Sequence, residues 1–336
     1  MLNLKNEKRK KKRQDKDIIL FDFTNFSSFG GVEKNGRKLA LAFKDISDDE
    51  IKIAEKSSQL FWQAFLHSIG VEKIRAVFIF KGSALTSLLF RILTIRIVSR
   101  VNNSPEAYLH WRGLSSVLSF AFRIYSLKND MLIFNSKKIM NFYQNAVSSK
   151  INCYYLPNFV DEIPDFTVRE RSKIFLASRY SKEKNIPNTL NILESFNSLS
   201  NFEISYFSSS SSVEGKNIAK KFDELEINFN DIFVSMAFFE GMPNMVLEAF
   251  KSGAILILSN CWSHVELSND LKVSGLGDRI LVLDLLDDKA IETQISDFIH
   301  HSQKCRKEQV AILTKEYFGN LNHLYQQTIA NILKKI

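Results

Sequence analysis

Short apolar runs alternate with helical patterns along this chain, and that alternation leaves few folds open. Ile18 to Phe23, Ala76 to Phe80, Ile95 to Val101, Met131 to Asn135 and Ile151 to Leu156 have strand length and suit buried strands. Helical patterns begin near Val32 and cover Glu50 to Ile69, Ala84 to Leu93, Ala107 to Leu127 and Lys137 to Val147, with Ser136 as an N-cap. A second series follows: Lys173 to Ser178, Glu203 to Phe207, Asp231 to Ser235, Ala254 to Ser259 and Arg279 to Leu283, with helices between and a mostly helical stretch from about Lys289. Repeated βα units predict parallel sheets covered by helices on both faces. Pro157 and Pro164 fall between the two series among acidic residues, so the boundary lies near 157–168.

The 336 residues suit two domains, and 45% hydrophobic content supports a sizeable core. The net charge is +8, yet residues 1–20 alone hold eight Lys/Arg against three Asp/Glu. The body of the chain is therefore close to balance, which argues against a nucleic-acid surface. The run Lys8 to Arg13 reads either as a solvated, disordered leader or as a segment attracted to anionic lipid. Three widely spaced cysteines predict neither a disulfide framework nor a structural zinc site, which favours a reducing compartment. No apolar run reaches the length of a membrane span, and the basic start lacks the apolar core of a signal peptide. Cytoplasmic placement is expected, with contact at the inner face of a membrane.

In doubly wound folds ligands meet the loops that directly follow strands. Four such loops carry chemistry-bearing residues. The first holds Gly30-Gly31 ahead of a helix, where a backbone can approach a ligand or simply turn tightly. The second holds Arg179 and Lys184, a guanidinium fork and a point charge that suit a diphosphate or an ordinary charged surface. The third places Glu240 and Glu248 eight positions apart, with Gly241 and Pro243 at a helix start. A helix N-terminus attracts anions, and carboxylates there can hold sugar hydroxyls beside a phosphate. Glu248 has Val246, Leu247, Ala249 and Phe250 as neighbours, so its carboxylate needs a partner. The fourth holds His264, either a packed loop histidine or a ligand contact.

Together these loops resemble the family-four retaining glycosyltransferases. The segment FFEGMPNMVLEAFKSG is similar to the family's E-x(7)-E signature, SRYSKEKN to its phosphate loop, and PNFVD to its interdomain segment. GGVE at Gly30 to Glu33, RVNNSPEAY at Arg100 to Tyr108, SNCWSHVEL and YFGNLNHLYQQTI stand in the family's order over nearly the whole chain. The resemblance implies a GT-B fold: two Rossmann-like doubly wound α/β domains facing a cleft. These would be an acceptor-side domain over 18–162 after a basic tail of residues 1–17, a nucleotide-sugar domain over 163–316, and a helix over 317–336 returning to the first domain.

It further implies a metal-independent transferase without a cofactor. Arg179 and Lys184 would neutralise the donor diphosphate, and Glu240 would contact the sugar near the reacting centre. Glu248 would bind the ribose, and Gly241, Met242, Asn244, Met245 and His264 would line the donor. Gly30 and Gly31 would let the first domain approach the diphosphate, and Asn102 and Asn103 would stand on the acceptor side. The expected partners are a nucleotide sugar, such as a UDP-sugar, and a saccharide or lipid-linked acceptor of cell-surface polysaccharide or lipopolysaccharide synthesis. Three departures stand out. Asn102 replaces a histidine that many members carry, Ser208 to Ser212 replaces a glycine-rich loop, and Val213 to Asp231 looks short by a strand. A nucleotide-sugar epimerase and a silent scaffold of the same fold are the rival readings.

Overall fold

The computed structural model describes residues 16–24, 31–80, 84–102, 131–147, 152–178, 181–195, 199, 202–208, 219–220, 225–284 and 288–336. Their contacts divide into two units. The first takes the described residues through Asn102, then 131–159 and 323–336; the second takes 160–322.

In the first unit the strands are β1 (Ile18–Asp22), β2 (Glu50–Ala54), β3 (Ile74–Ile79), β4 (Arg96–Val101), β5 (Met131–Phe134) and β6 (Asn152–Tyr155). Its helices are α1 (Gly31–Ile46), α2 (Ser57–Ser68), α3 (Ala84–Ile92) and α4 (Lys137–Val147). The sheet order is β2-β1-β3-β4-β5-β6, parallel throughout. Its core is aromatic: Phe21 stacks on Phe78 with centroids 4.7 Å apart, and Phe43 meets Phe78 edge-on at 4.8 Å. Ser136 accepts from Ile139 N at 3.2 Å and caps α4 as its sequence position predicts.

The second unit holds β7 (Lys173–Ala177), β8 (Glu203–Phe207), β9 (Ala219–Lys220), β10 (Ile232–Ser235), β11 (Ile255–Ser259) and β12 (Ile280–Leu283). Its helices are α5 (Ile186–Ser195), α6 (Asn244–Lys251), α7 (Trp262–Val273), α8 (Asp288–Ser302) and the start of α9 (Lys307–Lys335). The order is β12-β11-β10-β7-β8-β9, again parallel. Successive strand residues face opposite ways, and both sides are buried. Ile174, Leu176, Ile232 and Val234 pack with α5 and α8 through Ile186, Leu190, Ile291 and Ile295. Phe175, Ala177, Phe233 and Leu256 pack with α6, α7 and α9 through Val246, Phe250, Leu267 and Phe318. Residues 323–336, at the end of α9, group with the first unit, where Tyr325, Ile329 and Ile332 join the core of β1 and β3.

Two sequence expectations are corrected. Glu50 to Ile69 is not one helix, because β2 occupies its first five residues as an edge strand beside β1. Its mixed exposure blurred the alternation of Glu50-Ile51-Lys52-Ile53 into a helical pattern. The span before Asp231 also keeps a strand: β9 pairs with β8 through Tyr206↔Ala219 and Phe207↔Lys220.

Candidate functional site

The second sheet changes direction at β7. From β7 the chain winds outward to β8 and β9, then returns to place β10 on the other side of β7. That reversal opens a crevice at the carboxyl ends of the two strands. The recess there is lined by Ala177, Ser178, Lys184, Thr189, Ser235 and Met236, among others.

Two loops supply its polar groups. After β7, a 3₁₀ turn over Lys182–Lys184 ends at Asn185, whose φ of 54° is left-handed. Asparagine tolerates that conformation, and α5 starts at once with Pro187 in its second position. Lys184 is thereby held at the crevice. After β10, the chain runs through Glu240 to Pro243, the N-cap of α6. Proline offers no side-chain cap, so the positive end of the helix dipole is not covered by a capping side chain. Gly241 and Met242 are buried before it, and Asn244 and Met245, half-buried, form its first two positions.

The two loops meet. Lys184 Nζ donates to Glu240 Oε1 in an ion pair whose side chains are 16% and 15% exposed. Phe238 N donates to Glu183 O at 2.9 Å, joining the loops through their backbones. A third loop is tied in from β11: Ser259 Oγ donates to Ala237 O. Since that bond uses the only hydroxyl hydrogen, His264 Nδ1, 3.1 Å from both Ser259 Oγ and Ser259 O, must be the donor toward them. Residues 56 positions apart in sequence are thus fixed together by bonds that do not depend on a ligand.

The remaining expected residues fall as follows. Glu248 lies inside α6, half-buried, and pairs with Lys251 at 2.7 Å. Its own helix thus supplies one partner for that carboxylate. His264 is not a loop residue. It sits in the first turn of α7 with no exposed surface, and its ring closes the β11–α7 turn. Among the described residues its Nε2 has no hydrogen-bond partner. Beside it, burial raises the Cys261 thiol, but the charge and hydrogen bonds of His264, with a hydrogen bond from Ser263, together outweigh this and leave the thiol below its ordinary range. In the first unit, Gly31 opens α1, and Asn102, half-buried, directly follows β4. Gly30, Asn103 and Arg179 lie outside the described residues, as do Ser209 to Ser212.

Arg100, on β4 two residues before Asn102, entered the sequence reading only as the first residue of RVNNSPEAY, and it stands in the buried part of its strand. It is 3% exposed and donates from Nη2 to Asn158 Oδ1 at 2.7 Å. Burial pushes its guanidinium down to about 10. Among the described residues no group of three or more His, Cys, Asp or Glu side chains could hold a metal ion. No described helix is long and apolar enough to cross a membrane.

No protein-family model matches the chain, and no curated protein sequence does. Solved structures do. WaaG, a glycosyltransferase involved in lipopolysaccharide biosynthesis, matches with a TM-score of 0.59 over 93% of this chain and 98% of its own, at 12% identity. A glycosyltransferase from Rickettsia africae matches at 0.55, over 96% and 100%, with 14% identity. The pneumococcal O-GlcNAc transferase GtfA, solved with UDP and GlcNAc, matches at 0.56 and 13% identity over 82% of this chain. The chain spans 60% of the length of GtfA and 53% of TarM. At these identities the likeness establishes the fold: two parallel doubly wound units of the GT-B type.

Proposed function

We propose that the chain is a glycosyltransferase that moves a hexose or N-acetylhexosamine, with retention, from a UDP-sugar to a saccharide or lipid-linked acceptor. One observation carries the reading: Lys184 and Glu240 converge from separate loops at the crevice between β7 and β10. A cation and a carboxylate held there suit the two halves of a nucleotide sugar. Lys184 donates to the diphosphate and, with Arg179, stabilises the charge that grows on phosphate as the bond to the sugar breaks. Glu240, released from Lys184, accepts from sugar hydroxyls. The first turn of α6, with Gly241, Met242, Asn244 and Met245, adds its dipole beside the diphosphate, and Glu248 takes the ribose. Fixed cations fill the role a metal would have. The ordered motif set supports an acceptor from cell-surface polysaccharide or lipopolysaccharide synthesis, at the inner face of a membrane, and the likeness in fold to WaaG agrees with it.

The test is consumption of UDP-sugars by the purified protein, with and without saccharide acceptors. Lys184→Ala should slow turnover on the order of 10²-fold to 10³-fold, the usual loss for one preorganised charge-stabilising group. Glu240→Ala should slow it comparably. Turnover unchanged in both variants would sink the assignment.

A further inference from the structure

Arg100 is a buried cation that its own chain answers only in part. It shares a face of β4 with Val98 and stands beside Ile133 of β5, and both neighbours belong to the apolar core that Leu156 and Tyr325 help to build. Its Nη2 donates to Asn158 Oδ1, whereas Nε and Nη1, equally buried, have no hydrogen-bond partner among the described residues. Tyr325, 2% exposed, lies close enough for its phenol and the guanidinium to perturb each other. Its Oη is likewise without a partner among the described residues. The ring is held in place. It packs on Phe159 with centroids 5.3 Å apart, and Thr328, three residues on in α9, donates from Oγ1 to Tyr155 O at 3.2 Å.

The unmet demand is for charge as well as for hydrogen bonds. Arg279, the buried guanidinium of the second unit, shows the alternative: it donates to three protein oxygens, of Asn230, Ser302 and Gly253. Arg100 has one. Even with its pKa lowered to about 10 by burial, it remains a cation at neutral pH. No carboxylate among the described residues pairs with it. Tyr325 cannot serve as its counter-ion, because burial holds the phenol protonated, well above its ordinary range, against the pull of the guanidinium. The hydroxyl can therefore donate but not neutralise. Water would satisfy donors and leave the charge unanswered, and an unpaired buried charge is the costlier of the two. A group with one negative charge, accepting from the guanidinium and from the phenol, meets both demands.

We propose that Arg100 and Tyr325 form a buried binding site for a small monovalent anion, with Asn158 orienting the guanidinium. Val98, Ile133 and Leu156, fully buried beside it, offer no partner for a second negative charge. That selects chloride or nitrate over sulfate or phosphate. All of these residues belong to the first unit, and anion binding is read without any sugar donor.

The test is thermal unfolding of the full chain at fixed ionic strength, with sodium gluconate replaced stepwise by chloride, nitrate or sulfate. In the wild type the midpoint should rise with chloride and with nitrate and then saturate, by about 5 °C, as mass action requires of a ligand that binds only the folded state. Sulfate should give only the unsaturating rise of an excluded salt. Arg100→Met, similar in length and uncharged, should lose the saturable part. Tyr325→Phe keeps the packing on Phe159, so it carries the test even where Arg100→Met fails to fold. It should raise the half-saturating chloride concentration about tenfold, the loss of one hydrogen bond to a charged group. Four results overturn the proposal: a wild-type midpoint with no saturable response to chloride, the same response in Arg100→Met, an unchanged half-saturating concentration in Tyr325→Phe, or an equal saturable rise with sulfate.

Discussion

The two ends of the second sheet use buried cations in opposite ways. At the carboxyl end Lys184 answers one carboxylate side chain, Glu240, on a neighbouring loop, and both keep some contact with solvent. At the amino end Arg279, only 1% exposed, donates to Asn230 Oδ1 at 2.7 Å, Ser302 O at 2.9 Å and Gly253 O. Its guanidinium also lies over the Phe229 ring at 4.9 Å. Asp231, fully buried nearby, accepts from Lys173 N at 2.9 Å and Asn228 N at 2.7 Å. Backbone groups cannot turn away to let a ligand in, whereas a paired side chain can. The amino end therefore stabilises the unit, and the carboxyl end has a charge pair of side chains that can part, as the proposed function requires.

The largest effect expected from this contrast is at Arg279. Arg279→Ala strands buried carbonyl oxygens and leaves a cavity, for a loss of about 4 kcal/mol in urea unfolding. Arg279→Lys keeps the charge without the fork and should lose about half of that. UDP affinity under native conditions should be unchanged in both. An unfolding midpoint that does not move in Arg279→Ala would break the contrast at its stronger side.

Gly253 sharpens the same side. Its φ is +83°, and an added Cβ would lie 2.8 Å from Phe229 and 3.0 Å from Phe166. Phe166 and Phe229 stack with each other at 5.5 Å, so neither ring can give way freely. Gly253→Ala should cost about 2 kcal/mol through backbone strain and overpacking. Thermal unfolding followed by circular dichroism reads it, and turnover below the transition should stay near that of wild type.

These residues also mark what the sequence could and could not disclose. The central strands were legible because burial on both faces writes an unbroken apolar run, as in Ile255–Ser259. Strand β2 was not, because an edge strand with half its residues near solvent looks helical beside the helix that follows. Strand β9 is two residues long and carries no pattern at all. Lys184 and Glu240 were legible as members of motifs, but their pairing is a tertiary fact across 56 residues. The Glu248–Lys251 pair was within reach at i,i+3 spacing, yet apolar neighbours drew attention to burial instead. Arg279 gave no signal, since an arginine before a strand is as common on the surface. Arg100 did give one, a charge in the buried part of a strand, and its bond to Asn158 answers that charge in part.

The smallest expected effect is the most discriminating. If Lys184 is exchangeable, Glu240 competes with a diphosphate for it. In the protein alone, the cycle of Lys184→Met, Glu240→Gln and the double variant should give a coupling of about 1 kcal/mol in urea unfolding, within the range for residues in contact. By linkage, removing the competitor must help the ligand. Glu240→Gln should therefore bind UDP about fivefold more tightly, the factor that corresponds to about 1 kcal/mol, even as it slows sugar transfer. Lys184→Met should bind UDP more weakly. Isothermal titration of the two variants separates the cases. If Glu240→Gln leaves UDP affinity untouched while Lys184→Met lowers stability alone, then Lys184 is a structural cation of the same kind as Arg279. The two ends of the sheet would then differ in exposure but not in role.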